Sequence, residues 1–188
     1  MRAVCLSLAV AAVIVALPGC SLSSRTTRAA SLKSEKERKP APEFALKDAN
    51  GHTVHLSDYK GKVILLDFWA TWCGPCKIEI PWFKDFEREN KDKGFAVLGV
   101  AMDQDGWDVV KPFAHQLGIN YRIVMGDDSI AELYGGVEAL PTTFLIDREG
   151  RIASVHVGLT SKRDFEDGIK ELLQTSAGAS VAAVARPE

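Results

Sequence analysis

Cysteine is scarce in this chain, with four in 188 residues. Cys5 and Cys20 lie in an apolar N-terminal stretch, while Cys73 and Cys76 stand in the body with two residues between them. A secreted scaffold held by disulfides spreads an even set of cysteines through its core, and no such framework is present. The body's one pair is therefore left for chemistry or for metal. Structural zinc needs four ligands, but there is no second cysteine pair, and His52, His55, His115 and His156 are scattered. An excess of charge of one sign is also missing. Lys and Arg number 23 against 25 Asp and Glu, a formal charge of -2, which gives no bias toward nucleic acid. No uncharged apolar run reaches the roughly 20 residues that a spanning helix needs. No internal repeat is evident, so a solenoid is excluded. What remains is an ordinary composition, 46% apolar and 26% charged, for one domain with tails.

The N-terminus reads as an address. Met1-Arg2 supplies a positive start, and the uncharged run from Ala3 to Gly19 has the character of an export signal. Leu17-Pro18-Gly19-Cys20 resembles a bacterial lipoprotein box, in which the cysteine becomes the acylated first residue. Pro18 departs from that pattern. By this resemblance, residues 1–19 are a signal peptide, Cys20 is a lipidation site, and Cys5 leaves with the signal; an uncleaved anchor helix and a plainly secreted protein stay open. Ser21 after the cysteine, rather than Asp, favours the outer membrane in a two-membrane bacterium. Residues 20–40 are polar, basic and without periodicity, which predicts a solvated tether spanning on the order of 25 Å. Residues 41–175 form the domain, and the Ala-rich residues 176–188 are expected to be a frayed tail.

Within the domain, residues 44–47 and 52–54 flank the turn cluster Asp48-Ala-Asn-Gly51, which predicts a hairpin. Val63–Trp69 is an apolar strand broken only by Asp67. A helix is expected from Cys73 to Asn90, with Ile80, Phe83 and Phe86 on its buried side. Phe95–Ala101 reads as a second buried strand. Asp105 is a candidate cap for a helix over Trp107–Leu117, followed by a strand at 121–125 and a short helix at 129–134. Residues 142–146 and 151–158 form a closing hairpin, and a last helix runs over 161–173 with Thr160 as its candidate cap. Strands alternating with helices imply an α/β fold, a central sheet covered on both faces. The closing hairpin makes that sheet mixed.

Trp72-Cys73-Gly74-Pro75-Cys76 falls where a buried strand gives way to a helix. A cysteine there meets unpaired backbone N–H groups and the positive end of the helix dipole, which favour thiolate over thiol. Thiolate is the attacking species in disulfide exchange. A second cysteine three positions on lies close enough to close a disulfide. Pro75 suits a first helical turn, where its missing N–H costs nothing. Asp67 is a lone carboxyl in an apolar strand. Burial there raises a pKa and suits the group to proton transfer. Glu79 stands one turn beyond Cys76 on the same helix face.

Asp67-Phe-Trp-Ala-Thr-Trp-Cys-Gly-Pro-Cys76 resembles the thioredoxin active-site segment, and Leu140-Pro-Thr-Thr-Phe-Leu-Ile-Asp147 resembles its cis-proline segment. With Leu56-Ser-Asp-Tyr-Lys-Gly-Lys62, they narrow the resemblance to the membrane-anchored TlpA/ResA-like reductases. That resemblance implies a thioredoxin-like fold with an N-terminal β-hairpin and a central insertion. It implies a redox-active Cys73–Cys76 disulfide, Asp67 as proton acceptor for Cys76, and Glu79 as a tuner of thiol acidity. It also implies substrate contacts at Trp72, Leu140 and Pro141, the last in a cis peptide. Disulfide-bearing exported proteins such as apocytochrome c are the implied substrates, and a membrane electron donor the implied source of reduction. The dithiol needs no cofactor or metal. Three alternatives remain open: a copper carrier, a binding module without turnover, and a peroxiredoxin-like redoxin. The peroxiredoxin Pro-and-Thr loop is absent.

Overall fold

Two apolar runs become the spine of the molecule. In the computed structural model, which describes residues 32–184 (side chains through residue 175), strands β4 (Val63–Trp69) and β5 (Phe95–Ala101) are buried along their whole length. They pair in parallel, Val63 opposite Phe95 through Trp69 opposite Ala101. Parallel strands covered on both faces read as continuous apolar runs, which is why periodicity alone does not assign their faces. The other elements are β1 (Lys39–Pro40), β2 (Ala45–Lys47), β3 (Thr53–His55), α1 (Gly74–Asn90), α2 (Trp107–Leu117), β6 (Arg122–Met125), α3 (Asp128–Leu133), β7 (Thr142–Ile146), β8 (Arg151–Val157) and α4 (Lys162–Val184). The main sheet has the order β1-β8-β7-β4-β5-β6, with β7 antiparallel to β4. It is the mixed, helix-flanked sheet expected from the sequence, and β2 and β3 form the expected hairpin.

The two faces of β4 serve different cores. Val63, Leu65 and Trp69 pack with Cys73, Cys76, Ile80 and Phe83 of the dithiol segment and with Phe165 of α4. Ile64, Leu66 and Phe68 pack with Phe44 and Val54 of the hairpin region and with Ile130 and Tyr134. Side chains alternate along a strand, so Asp67 falls on the first face, beneath α1.

The structure corrects four expectations. The tether does not extend to Pro40: Leu32 packs on the first core, Lys33 N–H donates to the Ala153 carbonyl, and Lys39 and Pro40 pair with β8. Arg38 is buried in an ion pair with Asp147 at 3.2 Å. A segment held by partners more than a hundred positions away carries no local signature. Asp105 does not cap α2; Gly106 holds the N-cap position at φ 60° without a side-chain bond. Thr160 does not cap α4, since Ser161 Oγ accepts from the Asp164 N–H and the Thr160 amide is used elsewhere. Helix α4 continues past Leu173 to Val184. The signal peptide, Cys5, Cys20 and residues 20–31 lie outside the described residues. Among the described residues, no helix is long and apolar enough to cross a membrane.

Candidate active site

Strand β4 runs out at Trp69, and four residues later Cys73 occupies the N-cap of α1. Its Sγ accepts the Cys76 N–H at 3.2 Å, one of the donors that a helix start leaves unpaired. Cys73 and Cys76 are joined by a disulfide, their Cα atoms 5.3 Å apart. Both are buried, Cys73 at 4% and Cys76 at 1% exposure. The loop before them is held from the neighbouring strand. The Asp103 carboxylate, just past β5, accepts from the Thr71 amide at 3.1 Å and from its hydroxyl. Sequence reasoning missed this residue. Its one signal is an acidic side chain at the carboxyl end of a parallel strand, where such sheets place their sites.

Trp72, the residue before Cys73, is 69% exposed, and Leu140 is half-buried. The Leu140–Pro141 peptide is cis, as expected. Register places Pro141 one residue before Thr142, which lies opposite Phe68, so the proline sits level with the end of β4 that leads to the cysteines. The Pro141 carbonyl accepts from the Gly158 amide at 2.8 Å.

Both acidic residues expected at the site are buried. Asp67 Oδ1 accepts from the Thr143 hydroxyl at 3.0 Å, and Oδ2 has no partner among the described residues. Burial, reinforced by the nearby Glu79 and opposed by the Thr143 bond, pushes its pKa up to about 8. Glu79 Oε1 accepts from the Thr160 amide at 2.9 Å, and burial raises this carboxyl to about 7. Two carboxyls that hold or release a proton near neutral pH thus lie in the core that also contains the cysteines. Such a pair can move protons for thiol chemistry. Thr143 was not singled out from the sequence, and Thr160 was read as a helix cap rather than as a partner of Glu79. Thr143 belongs to the cis-proline segment, and nothing around Thr160 points to Glu79, 81 residues away.

A family model, the AhpC/TSA family, matches residues 38–155. The chain belongs to the AhpC/TSA family. Among its relatives in this family is the thiol-disulfide oxidoreductase ResA of Geobacillus kaustophilus. The two are 38% identical over 133 residues, covering 70% of this chain and 75% of that protein. ResA of Bacillus subtilis is 36% identical over 136 residues, 72% of this chain and 75% of that protein. Of solved structures, a thioredoxin-family thiol:disulfide interchange protein from Chlorobium tepidum superposes with a TM-score of 0.67. That structure is 31% identical, and the match covers 74% of this chain and 99% of the other. This AhpC/TSA-family protein has a thioredoxin-like fold and is a thiol–disulfide oxidoreductase of the ResA type.

Proposed function

We propose that the protein works outside the cytoplasm, tethered through a lipid on Cys20, and reduces disulfides in exported proteins such as apocytochrome c. The observation that carries the chemistry is a cysteine pair at a helix start with two buried carboxyls, Asp67 and Glu79, in the same core. In the reduced enzyme, the Cys73 thiolate attacks a substrate disulfide. A Cys73–substrate S–S bond forms, and the substrate's other sulfur leaves as thiolate and takes a proton. Asp67 accepts the Cys76 proton, and the Cys76 thiolate then attacks Cys73 Sγ. The Cys73–Cys76 disulfide closes and the second substrate sulfur departs. The substrate has gained two electrons, and the protein has lost them. Re-reduction falls to a membrane dithiol donor.

Glu79 tunes the acidity of the thiols, while Trp72, Leu140 and Pro141 receive the substrate backbone by strand addition. Gly74-Pro75 between the cysteines supports the reducing direction, because reducing relatives of this fold carry the same dipeptide. The apolar N-terminus ending at Cys20 supports export and anchoring. The deciding experiment is the reduction potential of the Cys73–Cys76 pair. A value near about −270 mV fits a reductant, and one between about −120 and −180 mV reverses the assigned direction. Cys76→Ser should accumulate mixed disulfides with exported partners; a clean variant removes the resolving role.

A further inference from the structure

Strand β8 is covered unequally on its outer side. Lys39 and Pro40 pair with Ile152 and Arg151, and the Lys33 N–H donates to the Ala153 carbonyl at 2.7 Å. Beyond Ala153, no strand among the described residues pairs with that side of β8. Successive residues of a strand turn their backbone groups to alternate sides. The Gly158 amide donates to the Pro141 carbonyl, on the β7 side. Val155 and Val157 therefore present their N–H and C=O groups to the open side, as Ala153 does to Lys33. Both valine side chains are exposed as well, at 39% and 67%. From Ser154 to Val157 the strand carries neither Lys nor Pro. An edge with β-branched side chains and open backbone groups is a template for another strand, and native sheets blunt or cover such edges.

The chain itself leads to this edge. Strand β1 is antiparallel to β8, so the backbone read backwards from Pro40 to Lys33 travels along β8 toward Val157. Val157 lies opposite Thr142, at the end of the sheet that carries Pro141 and the cysteines. Leu32 packs on the first core, where a methyl group added at Gly168 of α4 would fall 3.4 Å from its Cδ2. Residues 24–31, just before it, lie outside the described residues and contain neither Pro nor Gly, so their sequence does not bar a strand. We propose that residues 29–31 of this chain add to the open edge of β8, with Ser31 opposite Val155 and Ala29 opposite Val157. The register continues in steps of two from Lys33 against Ala153. This occupant outcompetes a client strand or a second copy because it is already attached. A strand on so short a linker acts at an effective concentration on the order of millimolar. The pairing itself needs nothing from the proposed function. Combined with the proposed lipid on Cys20, it has a consequence for how the domain hangs. The eight residues Ser21 to Arg28 become the whole reach between lipid and domain. Fully extended they span about 28 Å, and they join the sheet at its dithiol end, which therefore faces the bilayer.

The test is amide hydrogen exchange, resolved by residue with NMR, on the full-length protein in detergent micelles at two protein concentrations. The Val155 and Val157 amides should exchange about tenfold slower, or more, in the parent than in Ser31→Pro, since each lost hydrogen bond is worth a factor of about three to ten. Ala29→Pro should release Val157 and leave Val155 protected. The His156 amide faces β7 and is the control; its exchange should be the same in all three proteins, which separates edge pairing from a general loosening of β8. Fast exchange at both valines in the parent, or protection that survives both prolines, overturns the pairing. Protection that fades on dilution gives the edge to a second copy, and protection that appears only with an added oxidised peptide gives it to a client; either result also overturns the proposal. A Cys20→Ala protein that still sediments with membranes, its valines protected, removes the lipid reading and the facing that rests on it, a result distinct from all the others.

Discussion

Asp67 and Asp147 are both aspartates buried at the sheet, at 1% and 3% exposure, and they are treated in opposite ways. Asp147 is saturated. Its Oδ1 accepts the amides of Glu149 and Arg151, and its Oδ2 accepts from the guanidinium groups of Arg38 and Arg151. Asp67 receives one hydroxyl bond, faces a second buried carboxyl, and keeps one oxygen bare among the described residues. A buried carboxylate stays charged where donors and cations compensate its lost hydration, and gains a proton where they do not. Equal depth thus yields a structural pin in one place and, in the proposed mechanism, a proton carrier in the other. Depth alone does not mark a functional acid; the shortage of partners does.

The comparison can be broken at either end. Asp147→Ala leaves the Arg38 guanidinium buried without its carboxylate, and should cost about 3–5 kcal/mol in denaturant unfolding. The folded fraction should still exchange disulfides normally, and a proportionate loss of specific activity would place Asp147 in the chemistry. Asp67→Asn should do the reverse. The resolving step slows by about a hundredfold, the lower range for positioned acid–base groups, measured by stopped-flow release of a thiol product.

The stability of that variant follows from sign. The folded pKa of Asp67, about 8, lies above its ordinary value of 3.8. The unfolded chain therefore gives up this proton first as pH rises. The contribution of Asp67 to stability is full below about pH 4 and is lost progressively toward pH 8. Asparagine has no proton to lose, so Asp67→Asn should gain on the order of a few kcal/mol over the parent at pH 7 and little at pH 4. Paired melts at the two pH values check this, and equal shifts at both would refute the raised pKa. The smallest effect belongs to Thr143→Val. Its hydroxyl supports the ionised form of Asp67, so its loss should move the apparent pKa of the resolving step upward by about one unit or less. A downward move would mean that the hydroxyl serves the protonated carboxyl instead.

Much of this site was legible beforehand, and the reasons are local. Cys73 and Cys76 announce themselves by spacing, Asp67 by interrupting an apolar strand, and Glu79 by standing one helical turn from Cys76. Pro141 and Leu140 are legible through the motif around them. The supports are not, because a hydrogen bond between distant positions leaves no periodicity. Thr71 is held by Asp103 from 32 residues away, Glu79 by Thr160 from 81, and Arg38 meets Asp147 across 109. The failed helix caps have a similar cause. Asp105 and Thr160 are good cap residues by type, but the backbone turns at Gly106 and the Thr160 amide is committed to Glu79. In the fold, the strands and helices came through within a residue or two except α4, which runs on from Leu173 to Val184, while the short β1 at Lys39–Pro40 is too brief for any pattern.

The grip of Asp103 on Thr71 involves no sulfur. The clamp holds the loop before Cys73 by contacts that the Cys73–Cys76 bond does not supply. In the proposed cycle, a client to be reduced and a donor that restores the thiols both come to this one cysteine pair. The loop behaves like a valve seat: it fixes where flow occurs, and the difference in potential between the visitors sets which way it runs.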